Sequence, residues 1–485
     1  MLHSEDIDDL KTKHICFECV GEAYLSLDIK QNGTIEQCSY CSQTAESYAI
    51  EELAERIETA FDHHYYRTSD QPNSWQQSLL ADRESSYNWE RDGAAVLDAI
   101  EVAADISQEA AEDVLAVLED KHGDMESAQM GEETEFSSDS YYEEKGTSDS
   151  AWQEEWRAFE QSLKTEARFF SRFAATHLAS VFGGIDKLKT RDSCPLVVDA
   201  GPLLELNYLY RARVFQSEDG LIVALCRPDL HLGAPPTSLA NAGRMNARGI
   251  SVFYGATEAN VAIAEVRPPV GSRVAVARFN ITTPLRLLDL TALEKIEDGG
   301  SIFDPSLKGR LERVAFLQSL GQRITRPVMP NDEAFDYLST QAIADFLATE
   351  NEPLLDGIIF RSAQVKDGRN VVLFHKAARV DTMELPDGTE IKAWSGHDTE
   401  DGWEVDYSVT ESVPPAPSQP TKQDDLKHIL PFLGPAHAWE DGLKKSALSI
   451  DPNSVEVHQV NWVEYQSTAY KVDRHRNKKT YGWQF

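Results

Sequence analysis

The chain has 485 residues, 41% of them hydrophobic, and a formal net charge of −35. That length exceeds what one ordinary core sustains and predicts several domains, while so acidic a balance would repel a phosphate backbone and argues against a general nucleic-acid binder. The N-terminus MLHSEDIDDLKTK has no apolar h-region, and no run reaches the roughly eighteen apolar residues of a membrane helix, so the expectation is a cytoplasmic protein with no membrane partner.

In chain order, the first element is a cysteine quartet: Cys16, Cys19, Cys38 and Cys41 spell C-x2-C, eighteen residues, C-x2-C. Two tight turns, each presenting a pair of thiolates, complete a tetrahedral sulfur shell that suits structural zinc. A redox dithiol is the competing reading. The intervening FECVGEAYLSLDIKQNGTIEQCSYC carries an Asn32-Gly33 turn between short alternating runs, which predicts a zinc ribbon over residues 1–47. Cys194 and Cys226 stand alone and read as small packed residues.

Residues 48–190 read as helical. SYAIEELAERIETAF and AAEDVLAVLED carry apolar residues at helical spacing. The acidic, Ser-rich stretch at about 120–150 is low in aliphatics and reads as a mobile linker. Helix is expected again from WQEEWRAFEQSLKTEARFFSRFAATHLASVF to the stop at Gly183-Gly184. Arg172 and His177 lie in it with four residues between them, a pattern that resembles the HEPN ribonucleases. His177 also shares a stripe with Phe170, Phe173, Ala174 and Val181, where a histidine packs into the core.

After Asp199 the runs shorten. NYLYRARVF and LIVALC read as strands joined by the turn SEDG, and SVFYGA, DGIIFRSAQ and RNVVLFH follow. TEANVAIAEV reads as a short apolar helix stopped by Pro268-Pro269, with Glu265 three and four residues after Ala262 and Val261, on their side. Folding alone does not place a carboxylate there. The C-terminal region holds a PPAPSQP loop, DLKHILPFLG, the alternating VEVHQVNWV, which predicts an edge strand, and the basic RHRNKK.

From about Leu206 to Lys376 these blocks resemble the RES domain, named for an arginine, a glutamate and a serine, whose members are NAD-consuming toxins related in fold to ADP-ribosyltransferases. The zinc and helical front part is similar to the HEPN/RES-associated region found ahead of some RES domains. The resemblance implies that Arg211 of YRAR, Arg244 of the G-R-x-N element, Tyr254 of VFYGA, Glu265 and Ser362 of FRSAQ form the site, with Arg211, Glu265 and Ser362 catalytic and all five in contact with NAD. Gly233, Pro235 and Pro236 shape the loop before it, in a segment longer than in compact family members. A fixed carboxylate beside the sugar would favour an oxocarbenium-like transition state, guanidinium groups would grip the pyrophosphate, and Tyr254 would stack on nicotinamide or hydrogen-bond nearby.

The expected architecture is an α+β multidomain chain: zinc ribbon (1–47), helical HEPN-like domain (48–190), mixed, strand-rich, ADP-ribosyltransferase-like RES domain (191–385) and C-terminal extension (386–485). Its expected activity is cleavage of the nicotinamide–ribose bond of NAD in a toxin–antitoxin or phage-defence setting. Water, phosphate or a protein serves as acceptor among family members. NAD as substrate and an antitoxin or trigger protein are the expected partners; a homo-oligomer stays open. Two other readings remain: an RNA-directed HEPN and zinc-ribbon protein with a degenerate RES domain, and an interaction protein in which Glu265 and the two arginines form a buried ion network.

Overall fold

The computed structural model describes residues 4–124, 130, 132–329, 331–400, 402–415, 446–464 and 466–476. By contacts the chain forms two units: Met1–Leu196 with Thr291–Ile324, and Val197–Leu290 with Thr325–Phe485. DLKHILPFLG, the end of PPAPSQP and the end of RHRNKK lie outside the described residues. No helix among the described residues is long and apolar enough to cross a membrane.

In the first unit, β1 (His14–Cys16), β2 (Thr34–Gln37) and β3 (Thr44–Ala49) form an antiparallel sheet in the order β1-β3-β2. Between the two cysteine pairs runs a helix, Ala23–Asn32, where alternating runs were expected around Asn32-Gly33. Leu25 and Ile29, four residues apart, are both buried. The Glu22 carboxylate accepts from Leu25 N at 2.7 Å and Gly33 N donates to Ile29 O at 2.8 Å. A capped helical period outweighs the Asn-Gly hairpin preference, and that dipeptide ends a helix instead. Leu25 and Ile29 share one core with Leu53 and Ile57 of the helix Ile50–His64 and with Val114 and Leu118 of Gln108–His122. The cysteine-bearing sheet and the helices are therefore held together by common apolar burial.

The acidic stretch also departs from expectation. β4 (Tyr65–Arg67), β5 (Ala94–Ala95) and β6 (Tyr141–Glu144) form a second sheet in the order β4-β6-β5, so the supposed linker supplies its central strand. Tyr142 is 3% exposed, stacks on Phe136 at 5.4 Å and meets Phe61 edge-on at 5.2 Å. Aromatic burial offsets the ordering cost that the acidic composition suggested would go unmet. Residues 125–129 and 131 of that stretch lie outside the described residues. The expected long helix is two, Ser150–Thr165 and Arg172–Phe182, with Phe170 between them at φ 60°. Cys194, expected to be packed, is exposed.

The second unit is built on eight strands: β7 (Val197–Ala200), β8 (Tyr208–Phe215), β9 (Phe253–Ala256), β10 (Arg273–Ile281), β11 (Leu285–Asp289), β12 (Gly357–Arg361), β13 (Arg369–Leu373) and, after the ribbon strands β14 (Glu390–Trp394), β15 (His397–Thr399), β16 (Gly402–Glu404) and β17 (Ser408–Ser412), β18 (Leu448–Gln459). Their order is β18-β10-β8-β9-β13-β12-β11-β7; β11 and β12 are parallel and the other pairs antiparallel. The sheet is thus mixed, and VEVHQ lies in its edge strand β18. LIVALC, expected as a strand, lies in the helix Glu218–Cys226. The S-E-D sequence that resembled a turn is an N-terminal cap: Ser217 Oγ accepts from Gly220 N at 3.3 Å, and Glu218 and Asp219 occupy the first turn.

Both faces of the sheet are apolar. Along β10, Val274 and Val276 pack with Ala212, Val261 and Ala262, while Ala275, Ala277 and Phe279 pack with Leu209, Leu221 and Phe253. One seam is weak: β8 and β9 share a single pair, Tyr210↔Ala256. Gly255 allows their approach, since a Cβ there would lie 3.1 Å from Tyr210 O. Truncation of the buried ring in Tyr142→Ala is expected to cost the first unit about 3 kcal/mol, whereas the exposed neighbour change Glu143→Ala costs within about 0.5 kcal/mol; urea unfolding followed by circular dichroism checks both. Equal, small losses would return the segment to the status of a linker.

Candidate active site and metal centre

The helix Ala259–Glu265 turns Val261 and Ala262 into the sheet, where both are buried with Ala212, Ala256, Val274 and Val276. Helical spacing puts Glu265 on that same side, at the ends of β12 and β13. Ser362 Oγ donates to Glu265 Oε1 at 2.6 Å and Asn370 Nδ2 donates to the same oxygen at 2.8 Å. Ser362 Oγ in turn accepts from Gln364 N at 3.0 Å and Val365 N at 3.1 Å, which leaves its hydrogen for the carboxylate. Among the described residues, Oε2 accepts no hydrogen bond. The serine expected from the motif is thus placed behind the glutamate as its support.

Asn370 was not foreseen. It is 5% exposed, follows the first residue of β13, and its Oδ1 has no partner among the described residues. The acceptor Glu265 Oε1 sets which end of the amide faces it. The only hint in the sequence was one amide at the start of the otherwise apolar strand NVVLF.

Arg211 and Tyr254 meet across the β8–β9 seam. Arg211 Nη1 donates to Tyr254 O at 3.3 Å, and its guanidinium sits 5.0 Å from the centre of the Phe253 ring. Among the described residues it makes no ion pair with any carboxylate, so the ion bridge to Glu265 does not form. Burial, and then the neighbouring Arg213, pushes its pKa down to about 10. The Tyr254 hydroxyl donates to Asn246 Oδ1 at 2.9 Å and accepts from Met245 N at 3.0 Å; burial pushes its pKa up to about 12. That hydroxyl holds the G-R-x-N element rather than standing ready for a ligand. Asn246, 3% exposed, also donates through Nδ2 to the carbonyls of Asn241 and Ile250, and a Cβ at Gly243 would come within 2.7 Å of both Tyr254 Oη and Asn246 Oδ1. The asparagine of that motif is thus a brace for the loop. Arg244 donates to Arg326 O at 2.9 Å and lies over the Tyr337 ring at 5.1 Å.

Arg211, Arg244, Tyr254, Glu265 and Asn370 line one cavity of about 290 Å³, together with Arg267 and Arg361. Four arginines around one glutamate make it locally cationic within a chain of net charge −35. Arg172 and His177 stand in different surroundings. Arg172 is exposed, whereas His177 is 4% exposed among the rings of Trp156, Phe159 and Phe173, and burial holds its pKa below the ordinary imidazole value.

The four N-terminal cysteines do converge. Cys16 and Cys41 sulfurs lie 3.6 Å apart, those of Cys19 and Cys38 lie 3.8 Å apart, and all four fall within 4.8 Å of one another. A tetrahedron with Zn–S bonds of about 2.3 Å has sulfurs about 3.8 Å apart, a separation matched by the Cys16–Cys41 and Cys19–Cys38 pairs, so the quartet could bind a metal ion of that kind once its widest pair closes slightly. Cys16 N approaches Cys38 Sγ at 3.4 Å, the kind of outer contact that orients a thiolate ligand. Cys16 and Cys38 are buried and Cys19 packs against the shared core, so metal bound there would stabilise the helices as well. Cys38→Ser, or chelation, is expected to abolish binding of about one zinc per chain and to lower the melting temperature of helical structure; metal analysis and thermal circular dichroism check this. Identical melting of metal-free and zinc-loaded protein would contradict it.

Two family models match the chain: HEPN/RES N-terminal domain 1 over residues 31–176 and RES domain over residues 213–394. No curated protein and no solved structure matches it. The RES match begins inside β8, two residues after Arg211, and takes in Arg244, Tyr254, Glu265, Ser362 and Asn370. The first match holds Cys38, Cys41 and the core helices Ile50–His64 and Gln108–His122. Residues 213–394 are thus similar to the RES domain, and residues 31–176 ahead of them to the HEPN/RES N-terminal domain.

Proposed function

We propose that the cavity binds NAD and breaks its nicotinamide–ribose bond, with Glu265 as the residue that stabilises the reacting sugar. A RES domain points to an effector of toxin–antitoxin type, and such domains are generally associated with NAD-related enzymatic toxins. The observation that carries the reading is the state of Glu265: one oxygen held by two neutral donors, the other unbonded beside a cavity lined by arginines.

In the reaction, C1′–N1 breaks and the electron pair leaves with the pyridinium nitrogen, which becomes neutral nicotinamide. Positive charge develops over C1′ and the ring oxygen, and a carboxylate oxygen beside it lowers the energy of that state relative to the neutral sugar. Because Ser362 and Asn370 fix the carboxylate beforehand, little reorganisation accompanies charge development. A nucleophile of the HX type, whether water, phosphate or a protein side chain, then bonds to C1′ from the opposite face and gives up its proton. Arg211 and Arg244 would meet the pyrophosphate. The single mixed eight-stranded sheet, with its one-pair β8–β9 seam, supports the ADP-ribosyltransferase-like fold expected from the sequence.

Glu265→Gln keeps the shape but removes the charge, and is expected to lower kcat for nicotinamide release by about a hundredfold to a thousandfold. Ser362→Ala and Asn370→Ala are each expected to lower it by about tenfold through loss of positioning. Chromatographic assay of nicotinamide, with circular dichroism to establish folding, reads all three; NMR of the products with and without phosphate identifies the acceptor. Unchanged turnover in folded Glu265→Gln would remove the proposal.

A further inference from the structure

Two exposed surfaces combine aromatic side chains with charges of opposite sign. The first is the turn between the helices Ser150–Thr165 and Arg172–Phe182, where Phe169 is 80% exposed, Phe170 stands wholly in water and Phe173 is half exposed. Phe170 holds φ 60°, a conformation that bulky residues rarely adopt, and no burial of its ring offsets that strain. Arg168 and Arg172 flank these rings; both are exposed, and their guanidinium groups make no ion pair or hydrogen bond among the described residues. The second surface is the hairpin of β14 to β17, where Trp394 and Trp403 are 45% and 57% exposed. A Cβ at Gly396 would come within 2.8 Å of the Trp403 ring, so that ring lies over the chain two residues on from Trp394. Asp398, Glu400, Glu404 and Asp406 surround the two indoles; all four are exposed and form no ion pair among the described residues.

We propose that these two surfaces bind each other between copies of this chain, the arginine–phenylalanine turn of one molecule seating on the acidic tryptophan hairpin of the next. The proposal is independent of the NAD chemistry. Acids outnumber bases 81 to 46, so unpaired acids are expected anywhere on the surface, whereas two neighbouring arginines without a carboxylate partner are not. The hairpin offers carboxylates beside aromatic surface, which is what the turn lacks. Arginine and large aromatic rings are the residue types that concentrate at interface centres and carry binding energy, and a guanidinium over an indole face adds cation–π attraction within the same contact. A lipid surface would use the turn and leave the acidic hairpin without a role; a second copy uses both. The net charge of −35 keeps copies apart only weakly at contact range, because at physiological salt exposed charges more than about 8 Å apart are largely screened and the local pairs decide. Since turn and hairpin are different surfaces, each pair of molecules keeps one free turn and one free hairpin, and growth continues to a ring or a filament. Both surfaces are small, so the association is weak and depends on concentration.

The test is sedimentation velocity of the full chain over a rising concentration series, with circular dichroism to establish that each variant folds. The wild type is expected to pass from monomer to species larger than a dimer, and added salt to reverse this. Arg168→Glu with Arg172→Glu blocks the turn, and Trp394→Ser with Trp403→Ser blocks the hairpin; each is expected to raise the dissociation constant at least about thirtyfold and to sediment as a monomer. If the tryptophan variant does not fold, Asp398→Asn with Glu404→Gln takes its place. Mixed in equal amounts, the two blocked variants still offer one intact turn and one intact hairpin between them, so the mixture is expected to form a one-to-one dimer that grows no further. A wild type that stays monomeric throughout, or assembly that either blocked variant retains, would overturn the proposal. A mixture that stays monomeric under conditions where the wild type assembles would overturn it as well, since the two surfaces would then not be partners.

Discussion

Two neutral donors, the Ser362 hydroxyl and the Asn370 amide, converge on one oxygen of Glu265, and the rest of the site is arranged around the consequence. Had an arginine paired with that carboxylate, its charge would be satisfied before any ligand arrived, and a developing cation would gain little from it. Neutral donors fix direction without cancelling charge. The elements that bring them together are short: a seven-residue helix that sets Glu265 by burying Val261 and Ala262, and the β12–β13 connection, in which Arg361 pairs with Arg369 and so fixes the separation of Ser362 and Asn370.

The cationic side of the site is built at a cost to the fold. Arg211 lies in a strand, partly buried, over Phe253 and against a backbone carbonyl, with no carboxylate partner among the described residues. Burial depresses its pKa, so the folded chain holds that proton less tightly than the unfolded one. The resulting penalty is fully present below about pH 10 and fades as pH rises past that value. A bound anion would relieve it at neutral pH. The single-pair β8–β9 seam has the same character, since a continuous ladder there would stabilise the sheet at Arg211 and Tyr254, which line the cavity. Stability withheld at a binding site is a common feature of proteins whose sites are shaped before the ligand arrives.

Legibility in the sequence followed the range of the interactions. Cysteine spacing was readable because four thiolates around one ion leave few arrangements, and the quartet converges. Glu265 was readable as a conflict between residue type and helix face. Arg211, Arg244, Tyr254 and Glu265 line one cavity with Ser362 just behind, but their parts differ from what chemistry alone suggested: Ser362 orients the carboxylate, and the Tyr254 hydroxyl braces a loop. Asn370 was not readable, because its significance lies in a contact with a residue 105 positions away. Secondary structure failed where local signals competed. Ser217 with two acids signals a turn and a helix cap alike, and Tyr142 outweighs an acidic neighbourhood only once Phe61 and Phe136 pack on it.

The most direct measurement of the central claim is a mutational cycle in nicotinamide release that asks whether Ser362 and Asn370 act through Glu265. The account predicts strong coupling: in a Glu265→Gln background, adding Ser362→Ala and Asn370→Ala changes the residual rate by less than about twofold, because the group they position has lost its charge. Independent losses in that background, as large as those in the wild type, would contradict it and assign the two residues roles of their own.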